Sequence, residues 1–293
     1  MKTEGTDKMR KINLPACIAA LFLLAGLIAC SVSSGMESPD IGDRALLDKA
    51  KEYIADEDYK AAIMVLTTFE NNYPNSIYYK QVRLMKADAL FAQEIRSGFI
   101  EAEAEYKAYM TLYPTSDDLD YVQKQIAYCH WNRRRSVKKD PSEVHRAIEE
   151  MNIFLKKYSS SKYAPEVKTT LDDARNFIAD NEEYIGDFYF NIKKYLAAEN
   201  RYSAALENRI GQEKRYDLYL KIFQSLAGQV KLDEALALYD KFAKEQTDSN
   251  VKSPLFTQID TIMEKLKKDA ALQKLLEKDK KPAEEKNKMD IDQ

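Results

Sequence analysis

One small–large pattern returns five times along this chain, and it restricts the fold to stacked helix pairs. Its clearest unit reads ALLDKAKEYIADEDYKAAIMVLTTFENNYP. Ala50 and Tyr53 stand three apart; Tyr59, Ala62, Leu66 and Phe69 follow at helical spacing, and Pro74 closes the unit. Two helices cross closely only where a small residue lets their axes approach, and a bulky side chain one turn away fills the space beside the crossing. Proline then stops the second helix. The second-helix signature recurs as Ala102, Tyr106, Tyr109 and Pro114, and as Ala147, Met151 and Phe154 with Ser159 in the proline's place. It recurs again as Ala198, Tyr202 and Ala205, and as Ala235, Tyr239 and Phe242. Ala87, Ala127 and Gly186 take the matching small position on first helices. Steps between the second-helix alanines are 40, 45, 51 and 37 residues, a scale that denotes an array of supersecondary units.

This arrangement resembles the tetratricopeptide pattern, with every step above its ideal 34 residues. The loops are therefore lengthened, notably over Arg133–Pro141 in the third unit. The predicted fold is all-α, a tetratricopeptide-repeat solenoid of about five helix pairs with one core running along it. Composition agrees. Gly and Pro number 8 each in 293 residues, too few for a turn-rich β architecture. With 45 basic and 48 acidic residues the net charge is -3, which argues against a nucleic-acid partner.

The first thirty residues have a different character. Lys8, Arg10 and Lys11 precede a 16-residue apolar run from Leu14 to Ala29, short for a spanning helix and suited to a signal peptide. The run ends Leu27-Ile28-Ala29-Cys30, which resembles the bacterial lipobox. On that resemblance residues 1–29 are a lipoprotein signal peptide, Cys30 is the lipidated N-terminus, and Ser31 at the next position favours the outer membrane. Residues 30–43 read as the lipidated tether, 44–250 as the repeat domain, 251–276 as a capping helix and 277–293 as a disordered tail. Removal of the leader takes Cys17 with it, and lipidation uses Cys30. Cys129 is then the remaining thiol, and no intramolecular disulfide is available.

Little in the chain points to chemistry. His130 and His145 are the two imidazoles, and their spacing with Cys129 fits no zinc pattern. No nucleophile–base arrangement or phosphate loop is present. The expectation is no catalytic residue, no metal and no cofactor. The densest basic run, Arg133-Arg134-Arg135 with Lys138 and Lys139, is read as a solvated loop or as an anionic contact to lipid or to an acidic partner. Asp140-Pro141 is read as the N-cap and first residue of the next helix.

In tetratricopeptide arrays a groove is lined by first-helix residues out of step with the small position. Offsets from Ala50 select Leu47, Lys51 and Ile54; offsets from Ala87 select Leu84, Asp88 and Phe91. Apolar side chains near opposite charges suit a peptide with alternating aromatic and polar residues. In the fourth unit Lys193, Lys194 and Arg201 are the cations expected to be free for a partner, since Tyr189 and Tyr195 occupy core positions.

Four segments are more specific: ENNYPNSIYYKQVRLMKADALF, AEYKAYMTLYPTSDDLDYVQKQIA, KDPSEVHRAIEEMNIFLKKYSSSKYAPEV and EEYIGDFYFNIKKYLAAENRY. They resemble the BamD family of outer-membrane lipoproteins over about Leu46 to Asn250. The strongest matches are Tyr73, Pro74, Gln81, Val82 and Leu84, and Asp118, Asp120, Tyr121 and Val122. The resemblance implies a lipid-anchored scaffold without catalysis, on the periplasmic face of the outer membrane of a Gram-negative bacterium. The implied partners are the barrel-forming insertase at the C-terminal repeats, accessory lipoproteins of the same complex, and unfolded outer-membrane proteins at the N-terminal groove. The family often has an arginine near Ile192 that helps dock the insertase; Lys193 and Lys194 follow here instead. The competing readings are another lipid-anchored scaffold, such as a cell-division or peptidoglycan-enzyme organiser, and a periplasmic enzyme with helical repeats.

Overall fold

The computed structural model describes residues 42–249 and 255–291. Among them the secondary structure is helical: α1 (Asp43–Ala55), α2 (Tyr59–Asn72), α3 (Tyr79–Ala92), α4 (Arg96–Leu112), α5 (Leu119–Asn132), α6 (Ser142–Lys157), α7 (Ala164–Asn191), α8 (Tyr195–Asn208), α9 (Gln212–Gln229), α10 (Leu232–Ser249) and α11 (Leu255–Ile291). Each helix from α1 to α10 packs on its neighbours in sequence, which is the contact pattern of a solenoid, and α11 lies against α9 and α10.

The repeated small residues sit at the crossings. Ala50, Ala62, Ala87, Ala102, Ala127, Ala147, Ala198 and Ala235 are all fully buried. At Gly186 even a methyl group would not fit: a Cβ there would stand 2.5 Å from the Tyr202 ring. The large residues fill the space between, with Phe69, Tyr106, Tyr109, Phe154, Tyr202 and Phe242 buried. Each such side chain contributes about 1.5–3 kcal/mol through burial.

Two kinds of turn join the helices. Between pairs, a Tyr-x-x-Ser turn recurs at Tyr73–Ser76, Tyr113–Ser116 and Tyr158–Ser161. Each serine N–H donates to the tyrosine carbonyl at 3.0–3.1 Å. Each serine Oγ accepts the N–H two residues on, from Tyr78, Asp118 and Tyr163. Ser76 Oγ also donates to Asp43 on α1, and Ser161 Oγ to Asp120 on α5, so the turn ties each new pair back to the one before. Within four of the pairs the turn passes through one residue in the left-handed region: Glu57, Glu94, Lys193 and Val230, at φ 53–59°. The third pair uses the long loop 133–141 instead.

Three features differ from the sequence reading. Helix α6 starts at Ser142, with Asp140 Oδ1 accepting the Ser142 N–H at 3.2 Å, so Pro141 precedes the helix and is not its first residue. Helix α7 spans 28 residues, and its first half extends the third pair before Gly186 begins the fourth crossing. Helix α11 is assigned from Leu255 to Ile291, so it takes in residues 277–291, which the sequence reading placed outside the capping helix. Ile259, Met263, Leu266 and Ala270 are buried and anchor α11.

Candidate functional site

The stripe chosen from sequence lies on α1 and α3, and its members divide by what they touch. Leu47 is a core residue, 2% exposed, packed with Leu46, Ala50 and Leu66, and it is not available to a ligand. Lys51 is exposed and lies 3.5 Å from Asp48; Ile54 is half-buried. Leu84 and Phe91 are half-buried against the cluster around Ala87, Tyr106 and Val122. Phe91 meets Phe99 edge-on, with ring centroids 5.2 Å apart.

Asp88 is engaged within the fold. Its Oδ1 accepts the Tyr106 hydroxyl at 2.6 Å and the Tyr121 hydroxyl at 2.9 Å. Burial pushes its carboxyl above the usual range, and the two tyrosine hydrogen bonds offset part of that. It therefore joins α3, α4 and α5 and does not stand free in a groove. The same offsets applied to Ala127 lead to Lys124, Tyr128 and Trp131 on α5. Lys124 is 9% exposed, and its ammonium lies 4.5–5.6 Å from the ring centroids of Tyr121, Tyr128 and Tyr163. Glu166 stands 3.4 Å from it. Sequence reasoning passed over this residue, since a lysine at a repeat position gives no sign that three rings from two helix pairs will enclose it.

The accessible part of the site is a cleft of about 420 Å³ where the α3–α4 turn faces the end of α5. Phe91 and Phe99 supply apolar walls, Arg134, Arg135 and Asn132 supply donors, and Glu94 borders it. Aromatic floor and cationic rim together can take an apolar ring beside a carboxylate.

Arg133 does not share the surface of its neighbours. It is 4% exposed, with Nη1 2.6 Å from Glu103 and Nη2 2.9 Å from Glu143. His130 bridges the same two carboxylates at 3.3 and 3.0 Å. Burial opposes ionisation of both acids, but hydrogen bonds to Arg133, with Lys107 at Glu103 and His130 at Glu143, hold both below the usual carboxylate range. Cys129 is buried, and burial pushes its thiol up to about 12. The cluster fastens α4, α5 and α6 together.

On the fourth pair, Lys193 and Lys194 are exposed at the α7–α8 turn, and among the described residues neither makes an ion pair. Arg201 is already paired, 2.9 Å from Glu182, so it is not the free cation the sequence suggested. Arg209, missed from sequence, is buried between Asp180 and Glu183 at 2.6 and 3.1 Å. Cys30 lies outside the described residues. No helix among the described residues is long and apolar enough to cross a membrane.

A family model described as "YfiO: Outer membrane lipoprotein" matches residues 39–251, from just before α1 to just beyond α10. The chain is also similar to curated relatives named outer membrane protein assembly factor BamD. The one from Vibrio cholerae is 25% identical, covering 61% of this chain and 79% of its own length. That from Rickettsia prowazekii is 25% identical over 67% and 78%. That from Neisseria meningitidis is 20% identical over 85% and 91%. All five helix pairs fall within the family match, and the chain belongs to the YfiO, or BamD, family of outer membrane lipoproteins.

Proposed function

We propose that this chain is a lipid-anchored adaptor of the complex that assembles β-barrel proteins in the outer membrane. The carrying observation is the family match over the whole repeat array, whose relatives bear the name of an outer membrane protein assembly factor. Cys30 within Leu27–Cys30 supplies the anchor on the periplasmic face. The repeat array works by binding, through extended surface, without a catalytic step.

Two surfaces divide the work in this reading. Lys193 and Lys194 on the fourth pair meet an acidic surface of the barrel-forming insertase, with Arg201 released from Glu182 or acting through it. The α1–α3 stripe, centred on Ile54, Phe91 and the cleft bordered by Arg134 and Arg135, takes segments of unfolded outer-membrane proteins. Aromatic side chains of such a segment fit beside Phe91 and Phe99, and its acidic groups meet the arginines.

Depletion of the protein tests the reading. Heat-modifiable mobility of the major barrel proteins should fall, and their precursors should accumulate. The insertase should co-precipitate with the wild type and be lost from Lys193→Glu/Lys194→Glu. Normal barrel levels after depletion, with no insertase recovered, would leave a generic lipid-anchored scaffold. For the peptide site, Phe91→Ala with Arg135→Glu should weaken binding of barrel-protein terminal peptides in a chain with unchanged circular dichroism.

A further inference from the structure

The basic run of the third pair is divided by the fold. Arg133 turns inward, while Arg134, Arg135, Lys138 and Lys139 stay exposed on the loop. The loop is strapped to α7. Asn181, 4% exposed, donates its side-chain amide to the Val137 carbonyl and, at 3.3 Å, to that of Lys139. Arg134 lies 4.0 Å over the Trp131 ring and donates to the Trp131 carbonyl. Lys138 lies 5.4 Å from the Tyr184 ring. Arg134 and Lys138 are thus held against rings before any partner arrives, so little of their side-chain entropy is lost on contact.

Beside the loop, α7 presents an apolar face. Asn181, Tyr184 and Phe188 follow at helical spacing on one side. The loop covers Asn181, and Tyr184 and Phe188 emerge beyond it, 45% and 58% exposed. The acids of this helix segment point elsewhere: Asp180 and Glu183 to Arg209, Glu183 and Asp187 to Lys221, Glu182 to Arg201. Asp140 on the loop accepts from Ser142 and also attracts Arg135, and Asp173 favours the charged form of Arg134. What remains outward is a group of cations flanking two exposed rings.

We propose that loop 134–139 with Tyr184 and Phe188 of α7 is a contact site for anionic phospholipid headgroups. Long cationic side chains reach phosphates while their stems and neighbouring aromatic rings settle at the interface. Each cation near an anionic surface raises binding several-fold. The inference rests on the membrane-proximal reading above: a 13-residue linker from Ser31 to Asp43 spans at most about 45 Å, keeping the fold near a bilayer.

The test uses the mature chain from Ser31 onward, which carries neither the leader nor an acyl chain and holds every described residue, added to preformed vesicles. One set is phosphatidylethanolamine alone; the other also contains phosphatidylglycerol. Flotation should rise several-fold with phosphatidylglycerol and fall at high salt. Trp131, the single tryptophan of the chain, should be quenched by brominated phosphatidylglycerol. Lys138→Glu/Lys139→Glu should reduce flotation about fivefold or more with unchanged circular dichroism, while Lys49→Glu/Lys60→Glu, exposed on the first pair, floats like its parent. Equal flotation on both vesicle types, or full flotation of the Lys138/Lys139 variant, overturns the proposal. Loss of insertase co-precipitation in that variant with vesicle binding intact also overturns it, assigning the loop to a protein. If depletion leaves barrel assembly normal, phosphatidylglycerol-dependent flotation still stands, so the two readings fail separately.

Discussion

The third and fourth helix pairs each bury one arginine and leave lysines in solvent, but by different routes. In the third, α5 is buried on nearly every side although it is rich in polar residues: Gln123, Lys124, Gln125, His130 and, at its end, Arg133 are all covered. Each has a partner on another helix, such as Glu150 for Gln123 and the Tyr106 hydroxyl for Gln125. In the fourth, the α7–α8 turn leaves Lys193 and Lys194 in solvent, and the buried cation is Arg209 at the far end of α8. Connection length accompanies the difference. The nine-residue loop after Asn132 lets Arg133 turn back onto Glu103 and Glu143, while the tight turn after Asn191 forces Lys193 outward in the left-handed region. In both pairs one arginine that reaches acids on a neighbouring helix is structural, while the other cations of the loop or turn stay exposed.

The largest break in this contrast should come at Arg133. Arg133→Met leaves two carboxylates without their cation and should cost about 3–5 kcal/mol, whereas Lys193→Met should stay within about 0.5 kcal/mol; urea unfolding reads both. Acid titration sharpens the comparison. Glu103 and Glu143 have folded values below their unfolded ones, so their stabilisation is complete above about pH 4.3 and declines as pH falls through the lowered range. Arg133→Met should flatten that acid limb.

Next in size is Gly186→Ala, which inserts a methyl group into the Tyr202 ring. Overpacking costs about 1–3 kcal/mol, more than the helix-propensity gain of up to about 1 kcal/mol. With Tyr202→Leu in the background, the same change should become neutral or favourable in thermal melts.

A smaller effect of opposite sign is expected at Asp88. Asp88→Asn keeps an oxygen to accept from Tyr106 and Tyr121 and removes a buried charge, so stability at neutral pH should rise by up to about 1 kcal/mol. A carboxyl with a raised folded value stabilises as pH falls through that value. The gain from Asn should therefore shrink in acid, and a rise in the gain would exclude the assignment. The smallest change is Lys193→Gly. Leaving the left-handed region to glycine relieves about 1 kcal/mol, offset by about 0.4–1 kcal/mol of added unfolded-state entropy. The melting temperature should move up by a degree or two at most.

The site was less legible than the fold, and particular residues show why. Leu47 and Leu84 occupy the same sequence offset, yet one is in the core and the other only half-buried. Asp88 resembles any exposed helix acid until Tyr121, 33 residues later, donates to it. Arg201 and Arg209 are alike in sequence, and tertiary neighbours make one a surface pair and the other a buried one.

What the sequence determined by itself is the repeat. Small residues at 50, 62, 87, 102, 127, 147, 186, 198 and 235 admit one close crossing each, because backbone approach depends on side-chain volume at that position alone. What the tertiary structure decided is which charges are left for partners. An ion pair needs two groups within about 4 Å, and here those groups come from helices tens of residues apart. Glu103, Arg133 and Glu143 meet only once α4, α5 and α6 have stacked, and Lys193 remains free because nothing stacks over it.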